Sequence, residues 1–362
     1  MNVDPIRVLI IDDSAIYRQS IQNVLREVAG ATVVGVAKDG VDALQKIEQL
    51  DPDLLTLDVQ MPDMNGIEVL REIKRRQLRP KSIMVSSYTA EGAQVTMDAL
   101  MEGALDFILK PASADAAANR QTLQDELAEK IAIFRESTPE FRIDRGNSRG
   151  STVVDSDVLP DAVPAPPTAC RAVILGCSTG GPQALKAVLP KLPAQLPVPI
   201  FVVQHMPARY TQSLAARLND VCELEVVEAC DGMTVPAGQI VVAPGGKQMK
   251  VEGDAANLTV RVNDDPPERG TRPSVDYTLR SATQVLSGNL LAVIMTGMGR
   301  DGMSGCDGLK QAGGYVFAQH QDDCVVYGMP KAVIEQDLAD RVLPLAKIAP
   351  AIARHVRRSR HS

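Results

Sequence analysis

The sequence of 362 residues contains no tryptophan, and aromatic residues make up only 3% of it. It has 38 lysines and arginines against 45 aspartates and glutamates, which gives a formal net charge of −7. Proteins dedicated to nucleic acids need a surplus of basic residues for phosphate contacts, and single-strand binders also need aromatic rings for base stacking. The composition therefore argues against a nucleic-acid-binding protein.

Long apolar runs and paired cysteine motifs are missing as well. No stretch approaches the ~18 apolar residues that a membrane-spanning helix needs. The segment MNVDPIRVLIIDDS lacks the basic region and apolar run of a signal peptide. All cysteines lie from position 170 onward without a CxxC pair, at positions 170, 177, 222, 230, 306 and 324. We therefore expect no membrane insertion, no zinc or disulfide framework, and reduced thiols in a cytoplasm.

The length and the hydropathy pattern predict two domains joined by a linker. A chain of this size exceeds what a single hydrophobic core usually organises. Residues 137–168 lack helical or strand periodicity and hold five prolines and two glycines, which is typical of a flexible linker. An irregular packed loop is the alternative. We predict a first domain over 1–136, a second over 169–350, and a basic C-terminal tail over 351–362.

Both halves alternate short apolar runs with amphipathic stretches. In the first half, RVLIID, TVVGVA, LLTLD, SIMVSS and DFIL have the length of buried strands, and helical patterns separate them. The second half repeats the alternation from RAVILG onward, and QIVVAPGG and MKVE with NLTVRV suggest a β-hairpin that interrupts it. Such alternation predicts an α/β fold with two doubly wound parallel sheets, the second carrying a β-hairpin insertion.

Acidic residues of the first half follow predicted strands. Asp12 and Asp13 end the first strand and Asp58 ends the third, where ligands of open α/β sheets bind. Clustered carboxylates repel one another unless one is protonated or a cation binds, and oxygen ligands suit Mg²⁺. Ser86 and Lys110 end the fourth and fifth strands, so a phosphoryl group would find a hydroxyl and an ammonium there. Taken singly, these residues would be explained as a helix cap, solvated acids and a surface lysine.

Taken together, the spacing of DD, D followed by MPDMNG, SS and K-P resembles the receiver domain of two-component response regulators over roughly residues 6–134. The resemblance implies a flavodoxin-like fold, phosphorylation of an aspartate, and Mg²⁺ as cofactor. The implied roles are phosphoacceptor for Asp58, Mg²⁺ ligands for Asp12, Asp13 and Asp58, hydroxyl switch for Ser86, aromatic switch for Phe107 and phosphate partner for Lys110.

A glycine-rich turn, GCSTGG, opens the second half between a predicted strand and helix. It could cradle a phosphate on backbone amides, but neither GxGxxG nor GxxxxGK[ST] is present. Alternatively, Ser178 is a nucleophile on a tight strand–turn–helix elbow. His205, at the end of the next strand, is then the candidate base, and Asp301 after LLAVIMTGMGR is the candidate acid that orients it.

Two further residues compete for these roles. His320 also follows a predicted strand and is the rival base, although a surface histidine is the simpler explanation. Cys177 could be the nucleophile, but a small buried residue before the elbow is favoured. For Asp301 alone, a helix cap would be the ordinary explanation.

The motifs QHMP, VVAPGGKQM, RPSVD, TGMGRDG and VVYGMP resemble the catalytic domain of the chemotaxis protein-glutamate methylesterase family, from 171 to about 345. The resemblance implies a Rossmann-like α/β esterase domain without a cofactor, in which Ser178, His205 and Asp301 act together. Backbone amides of Thr179 and Met298 would bind the oxyanion.

The two resemblances together imply a phosphorylation-activated serine esterase that demethylates glutamyl methyl esters on chemoreceptors and releases methanol. A chemotaxis histidine kinase would be the phosphodonor, and methyl-accepting chemoreceptors the substrate. Two alternatives stay open. The same three residues could deamidate receptor glutamine, or the chain could be a response regulator without enzymatic activity.

Overall fold

A computed structural model describes residues 4–87, 89–137 and 169–358 of the chain. They form two parallel α/β sheets, each with helices on both faces, and one separate hairpin. The predicted linker lies outside the described residues except for Ser137, the last residue of a helix. Within the described ranges, no helix is both long enough and apolar enough to cross a bilayer.

The first sheet has five parallel strands in the order β2-β1-β3-β4-β5. Its strands are β1 (Ile6–Ile11), β2 (Ala31–Ala37), β3 (Leu54–Asp58), β4 (Lys81–Ser86) and β5 (Asp106–Leu109). Its helices are α1 (Ala15–Leu25), α2 (Gly40–Leu50), α3 (Gly66–Arg75), α4 (Ala90–Glu102) and α5 (Ala116–Ser137). The flavodoxin-like fold is confirmed, and it brings the carboxyl ends of β1, β3, β4 and β5 to one edge.

Local sequence signals explain where these elements begin. In β1, every residue except Arg7 is buried, because helices cover both faces of a parallel sheet. Asn65 caps α3 by accepting from the amides of Ile67 and Glu68, while the Glu68 carboxylate accepts from the Asn65 amide. This capping box fixes the start of the helix that follows the acidic edge.

The second sheet has seven parallel strands in the order β14-β13-β12-β6-β7-β9-β8. Its strands are β6 (Ala172–Cys177), β7 (Ile200–Gln204), β8 (Val226–Glu228), β9 (Ile240–Val242), β12 (Leu290–Ile294), β13 (Tyr315–Gln319) and β14 (Arg341–Leu343). Its helices are α6 (Gly181–Val188), α7 (Tyr210–Asn219), α8 (Val275–Leu286), α9 (Met303–Gln311), α10 (Met329–Ile334) and α11 (Leu345–Arg358). Strand order reverses at β6, which pairs with both β7 and β12, so the switch point of the sheet lies at the end of β6.

The predicted hairpin is only partly as expected. Its two arms are β10 (Gln248–Gly253) and β11 (Leu258–Asn263), which pair antiparallel. The QIVV segment, however, is strand β9 of the main sheet and pairs parallel with β7. Three buried apolar residues in a row suit an interior parallel strand, whereas the hairpin arms alternate buried and more exposed residues.

The predicted boundary between residues 350 and 351 falls inside α11. Ile352 and Val356 are fully buried against the sheet. The His355 ring packs against Tyr315 and Phe317 of β13. The described part of the basic segment is therefore the end of an amphipathic helix of the second domain, and residues 359–362 lie outside the described ranges.

Candidate functional site

The acidic residues of the first domain converge as their strand positions predict. Asp12 and Asp13 follow β1, Asp58 ends β3, and one carboxylate oxygen from each lies within 4.8 Å of the others. Asp12 and Asp58 are buried, while Asp13 is exposed. An all-oxygen ligand set open to solvent on one side fits Mg²⁺, which keeps several waters when bound by proteins.

The ammonium group of Lys110 lies beside two of these carboxylates. Its Nζ lies 2.7 Å from Oδ2 of Asp58 and 2.9 Å from Oδ2 of Asp12. Burial raises the pKa of Asp58 to about 6, although the hydrogen bond and charge of Lys110 oppose that shift. Three carboxylates against one ammonium leave an excess of negative charge, which a divalent cation would offset.

Ser86 and Lys110 line the same cavity of about 310 Å³ as Asp13 and Asp58. Ser86 is fully buried at the end of β4, and its Oγ accepts a hydrogen bond of 2.7 Å from Oγ1 of Thr96 on α4. Through this bond, the strand that carries Ser86 is connected to the helix that faces the second domain.

Ser178 lies in the turn between β6 and α6, at the switch point of the second sheet. Gly180 has a φ of +78°, and a Cβ on Gly181 would collide with Oε1 of Gln204. Glycine is therefore required for this tight turn. The Ser178 amide donates to the carbonyl of Thr296, and its carbonyl accepts from Nε2 of Gln204, so the turn is fixed against both neighbouring strands.

His205 follows β7 and lies beside Asp301, as expected for a base and its orienting acid. Nε2 of His205 is 2.7 Å from Oδ2 of Asp301. Asp301 also accepts hydrogen bonds from Oγ of Ser274 at 2.9 Å and from the amides of Val275 at 2.7 Å and Asp276 at 2.9 Å. The carboxylate therefore occupies the N-terminus of α8, where backbone amides favour an anion.

These donors decide the ionisation of Asp301. Burial alone would raise its pKa, but the hydrogen bond and charge of His205 and the amides of Asp276 and Val275 lower the pKa below its ordinary value. Asp301 is thus an ionised group that holds Nε2 of His205. Nδ1 is then the ring nitrogen left to face a nucleophile. Within the described residues, Oγ of Ser178 forms no hydrogen bond with His205, although both line one cavity.

Backbone amides suitable for an oxyanion lie beside Ser178. Within the described part of the chain, neither the amide of Thr179 nor that of Met298 donates a hydrogen bond. Both residues line the cavity that holds Ser178. A Cβ on Gly297 would collide with Ser178, so the turn before Met298 packs directly on the elbow.

The two competing residues lie elsewhere. His320 follows β13 and is half-buried, and its Nδ1 accepts a hydrogen bond from the amide of Asp322, outside the residues that line the Ser178 cavity. Cys177 is fully buried, and its Sγ lies 3.1 Å from Oε1 of Gln204. Burial raises the pKa of Cys177 far above its ordinary value, so the thiol is a poor nucleophile.

The first domain forms one wall of the Ser178 cavity, which has a volume of about 360 Å³. Oγ1 of Thr179 donates a 2.7 Å hydrogen bond to Oδ2 of Asp106 at the start of β5. Phe107 stacks on Tyr210 of α7, with ring centroids 4.6 Å apart and an interplanar angle of 18°. Sequence reasoning missed Asp106 and Tyr210, because neither belongs to a local motif. The one signal in the sequence for Asp106 is that it directly precedes Phe107, the predicted aromatic switch residue.

Helix α4 and the loop after it supply further contacts between the domains. Nε of Arg217 on α7 lies 2.6 Å from Oδ1 of Asp98, and Nε2 of Gln183 on α6 donates to the carbonyl of Ala104 at 2.7 Å. The face formed by α4 and β5, which adjoins Ser86 and Lys110, is therefore the one that covers the cavity of the second domain.

Two family models match the chain: "CheB methylesterase" over residues 173–352 and "Response regulator receiver domain" over residues 8–121. A protein from Desulfotalea psychrophila named protein-glutamate methylesterase/protein-glutamine glutaminase is 42% identical over 359 residues, which cover 97% of this chain and 99% of that protein. The protein of the same name from Bacillus subtilis is 41% identical and covers 98% of this chain and 99% of its own length.

A solved structure resembles the second domain. The crystal structure of the Thermotoga maritima CheB methylesterase catalytic domain superposes with a TM-score of 0.50 at 41% sequence identity, covering 52% of this chain and 99% of that one. The similarity in sequence therefore extends along nearly the whole chain, and the similarity in structure includes the fold that carries Ser178, His205 and Asp301.

Proposed function

This chain belongs to the CheB family of protein-glutamate methylesterases with a receiver domain, and we propose that Ser178, His205 and Asp301 form its catalytic triad. It is a chemotaxis-type hydrolase. The observation that supports the triad most directly is the 2.7 Å contact between His205 Nε2 and an ionised, buried Asp301, on the cavity that also holds Ser178.

The reaction begins when Oγ of Ser178 attacks the carbonyl carbon of a glutamyl γ-methyl ester. Nδ1 of His205 accepts the serine proton, while Asp301 holds the opposite ring nitrogen and stabilises the imidazolium. The amides of Thr179 and Met298 donate hydrogen bonds to the oxyanion. One such donor is worth ~2.7–4 kcal/mol of barrier in a hydrolase.

The tetrahedral intermediate collapses when His205 returns the proton to the methoxy oxygen, and methanol leaves. Water then attacks the acyl-enzyme with His205 as base, which restores Ser178 and releases the glutamate carboxylate. The same steps on a glutamine side chain release ammonia instead of methanol. The glutaminase part of the relatives' names favours this second activity on the same residues.

The receiver domain regulates this cavity in our proposal. The carboxylate of Asp58 attacks the phosphorus of a phosphodonor, and the bond from phosphorus to the donor breaks. Lys110 and Ser86 contact the transferred group. Asp12, Asp13 and Asp58 would hold Mg²⁺, whose charge offsets that of the phosphoryl oxygens when it is bound.

Phosphorylation at Asp58 is coupled to the esterase through the face of α4 and β5. In the unphosphorylated chain, Asp106 and Phe107 contact Thr179 and Tyr210 and so narrow access to Ser178. Added charge at Asp58 changes the positions of Lys110 and Ser86 and weakens this docking. We further propose a chemotaxis histidine kinase as phosphodonor, methyl-accepting chemoreceptors as substrate, and the cytoplasm, where the six thiols stay reduced, as location.

The test is methanol release from methylated chemoreceptor membranes, measured with and without a small phosphodonor. We expect release by the full chain, faster with the phosphodonor, and no release by Ser178→Ala. Ser213→Ala, a serine on α7 outside the cavity, is the matched control and keeps the wild-type rate. Full activity of Ser178→Ala would refute the triad. Ammonia release from receptors carrying glutamine tests the second activity in the same samples.

A further inference from the structure

The esterase wall of the Ser178 cavity carries two arginines with different partners. Arg269 is held in place: its Nε lies 3.3 Å from Oδ2 of the buried Asp276, and its Nη2 donates to Oγ of Ser304 at 2.9 Å. Arg300 directly precedes Asp301 and is exposed. Within the described residues it makes no ion pair, and its Nη2 contacts only the sulfur of Met303, at 3.3 Å.

The mechanism uses neither guanidinium, although both line the cavity with Ser178 and His205. Asp276 offsets the charge of Arg269, and His205 and backbone amides already bind the carboxylate of Asp301. The charge of Arg300 is therefore not neutralised at the mouth of the cavity. Guanidinium groups form strong, directional hydrogen bonds with carboxylates, so an anionic ligand is the chemistry this position favours.

The opposite wall has the complementary charge. Glu126 and Glu129 of α5 line the same cavity from the receiver side, and Glu129 is exposed. Asp106 and Lys130 line the cavity from the same side, so the wall formed by the first domain carries three carboxylates and one ammonium. Neither Glu126 nor Glu129 lies within ion-pair distance of Arg300 in the described residues, so the guanidinium stays available when the receiver domain is docked.

On these observations, and resting on the proposed esterase function, we infer that Arg300 selects substrates in which acidic side chains flank the glutamyl ester. A flanking carboxylate lies against Arg300 while the ester carbonyl lies at Ser178. The substrate class is thus an acidic protein segment, and Arg300 is a specificity-determining residue. It takes no part in proton transfer.

The test compares peptides that differ only in flanking charge. Each carries one glutamyl γ-methyl ester between glutamates, glutamines or lysines, and methanol release is measured with the full chain and a small phosphodonor. For the wild type, we expect kcat/KM to be roughly tenfold higher with glutamate than with glutamine, mainly through KM, since a charge-assisted hydrogen bond at a partly solvated site is worth about that much. The preference falls as the salt concentration rises.

Variants of Arg300 are judged by the ratio of the two rates, so that a general loss of activity cancels. Arg300→Gln removes the preference for glutamate, Arg300→Lys retains most of it, and Arg300→Glu prefers the lysine peptide. Arg261→Gln is the matched control, because Arg261 is an exposed arginine on β11 paired with Asp231. It keeps the wild-type ratio.

Equal wild-type rates on the glutamate and glutamine peptides would overturn the inference while leaving the esterase function intact, whatever the variants do. An unchanged ratio in Arg300→Gln would overturn it too. Failure of the wild type to release methanol from methylated receptor membranes would instead contradict the proposed function itself.

Discussion

Asp58 and Asp301 occupy similar places in the two sheets, yet their ionisation differs in direction. Asp58 is the last residue of a parallel strand and Asp301 lies in the loop after another, and their exposures are 4% and 3%. The pKa of Asp58 is raised to about 6, whereas the pKa of Asp301 lies below its ordinary value. Equal burial therefore does not determine the ionisation of a carboxylate at a strand end.

The neighbours make the difference. Asp58 faces a second carboxylate, Asp12, and shares one ammonium with it. Asp301 faces the amides at the start of α8, the hydroxyl of Ser274 and the ring of His205. The first arrangement leaves an excess of negative charge that a cation would offset, which suits the role proposed for Asp58. The second produces a carboxylate that stays ionised and holds Nε2 of His205.

Replacing Asp301 by asparagine tests the second half of this comparison and has the largest expected effect. An amide at this position would favour the wrong tautomer of His205 and could not stabilise the imidazolium. We expect kcat for methanol release to fall about 10⁴-fold, as for the equivalent change in a serine protease. Asp307→Asn, on the exposed side of α9, is the control. A loss of less than tenfold in Asp301→Asn would exclude Asp301 as the orienting acid.

Replacing Asp58 by asparagine tests the first half. The ratio of methanol release with and without a small phosphodonor should fall to about one, because no phosphoryl group can be accepted. A shift of the ratio of open to docked chains from 1:99 to 99:1 would need ~5.5 kcal/mol of free energy from phosphorylation. We therefore expect phosphorylation to open only part of the wild-type population. The exposed Asp63→Asn variant keeps the wild-type ratio. Stimulation that survives in Asp58→Asn would contradict the regulatory proposal.

The same two substitutions should change stability in opposite directions. A raised folded pKa means that ionised Asp58 destabilises the receiver domain above about pH 6, and that this penalty disappears as the pH falls through 6 towards 4. Without divalent cations, Asp58→Asn should therefore stabilise that domain by about 1–3 kcal/mol at pH 7.5 and much less at pH 4.5. Lys110 keeps Asp12 as its partner in this variant.

For Asp301 the sign is reversed. Its lowered pKa contributes stability that is present above the ordinary carboxyl pKa of about 4 and is lost as the pH falls below it. Asp301→Asn should destabilise the esterase domain by about 1–3 kcal/mol at pH 7.5, because buried donors at the start of α8 lose an acceptor. Hydrogen exchange resolved by domain measures the change in the free energy of unfolding in each variant. Changes of the same sign in Asp58→Asn and Asp301→Asn would contradict the difference drawn between the two carboxylates.

The smallest expected effect concerns the contact that connects the two sites. Phe107→Ala removes the stack on Tyr210, and such ring pairs contribute about 0.5–1.5 kcal/mol. We expect the unphosphorylated esterase rate to rise about 2- to 10-fold, with an intermediate rise for Phe107→Leu. A rate equal to that of the wild type in both variants would show that this stack does not restrict access to Ser178.

Much of this arrangement could be predicted from the sequence, because strand ends of a parallel sheet meet at one edge. That rule brings Asp12, Asp58 and Lys110 together, and it also places His205 beside the Ser178 turn. Their distances and burial could not be predicted.

Contacts between the domains could not be predicted from the sequence. Asp106 and Thr179 are 73 residues apart, and nothing in their local patterns indicates a partner. The short apolar run at 240–242 suits a hairpin arm as well as an interior parallel strand, so its sequence does not decide between them. The arginines beside His355 and Val356 give that segment the composition of a solvated tail, although Val356 is fully buried in α11.

The cavity shared by the two domains also gives Ser178, the proposed nucleophile, a use as a reporter. Ser178 lies beside the Asp106–Thr179 contact and is half-buried, so an irreversible serine-directed reagent should reach it faster while the domains are apart. When docking equilibrates faster than labelling, the labelling rate is the average of the rates of the open and docked forms, weighted by their populations. Time courses of probe incorporation with and without a phosphodonor would thus report a shift in the docking equilibrium, without a receptor or any turnover of substrate.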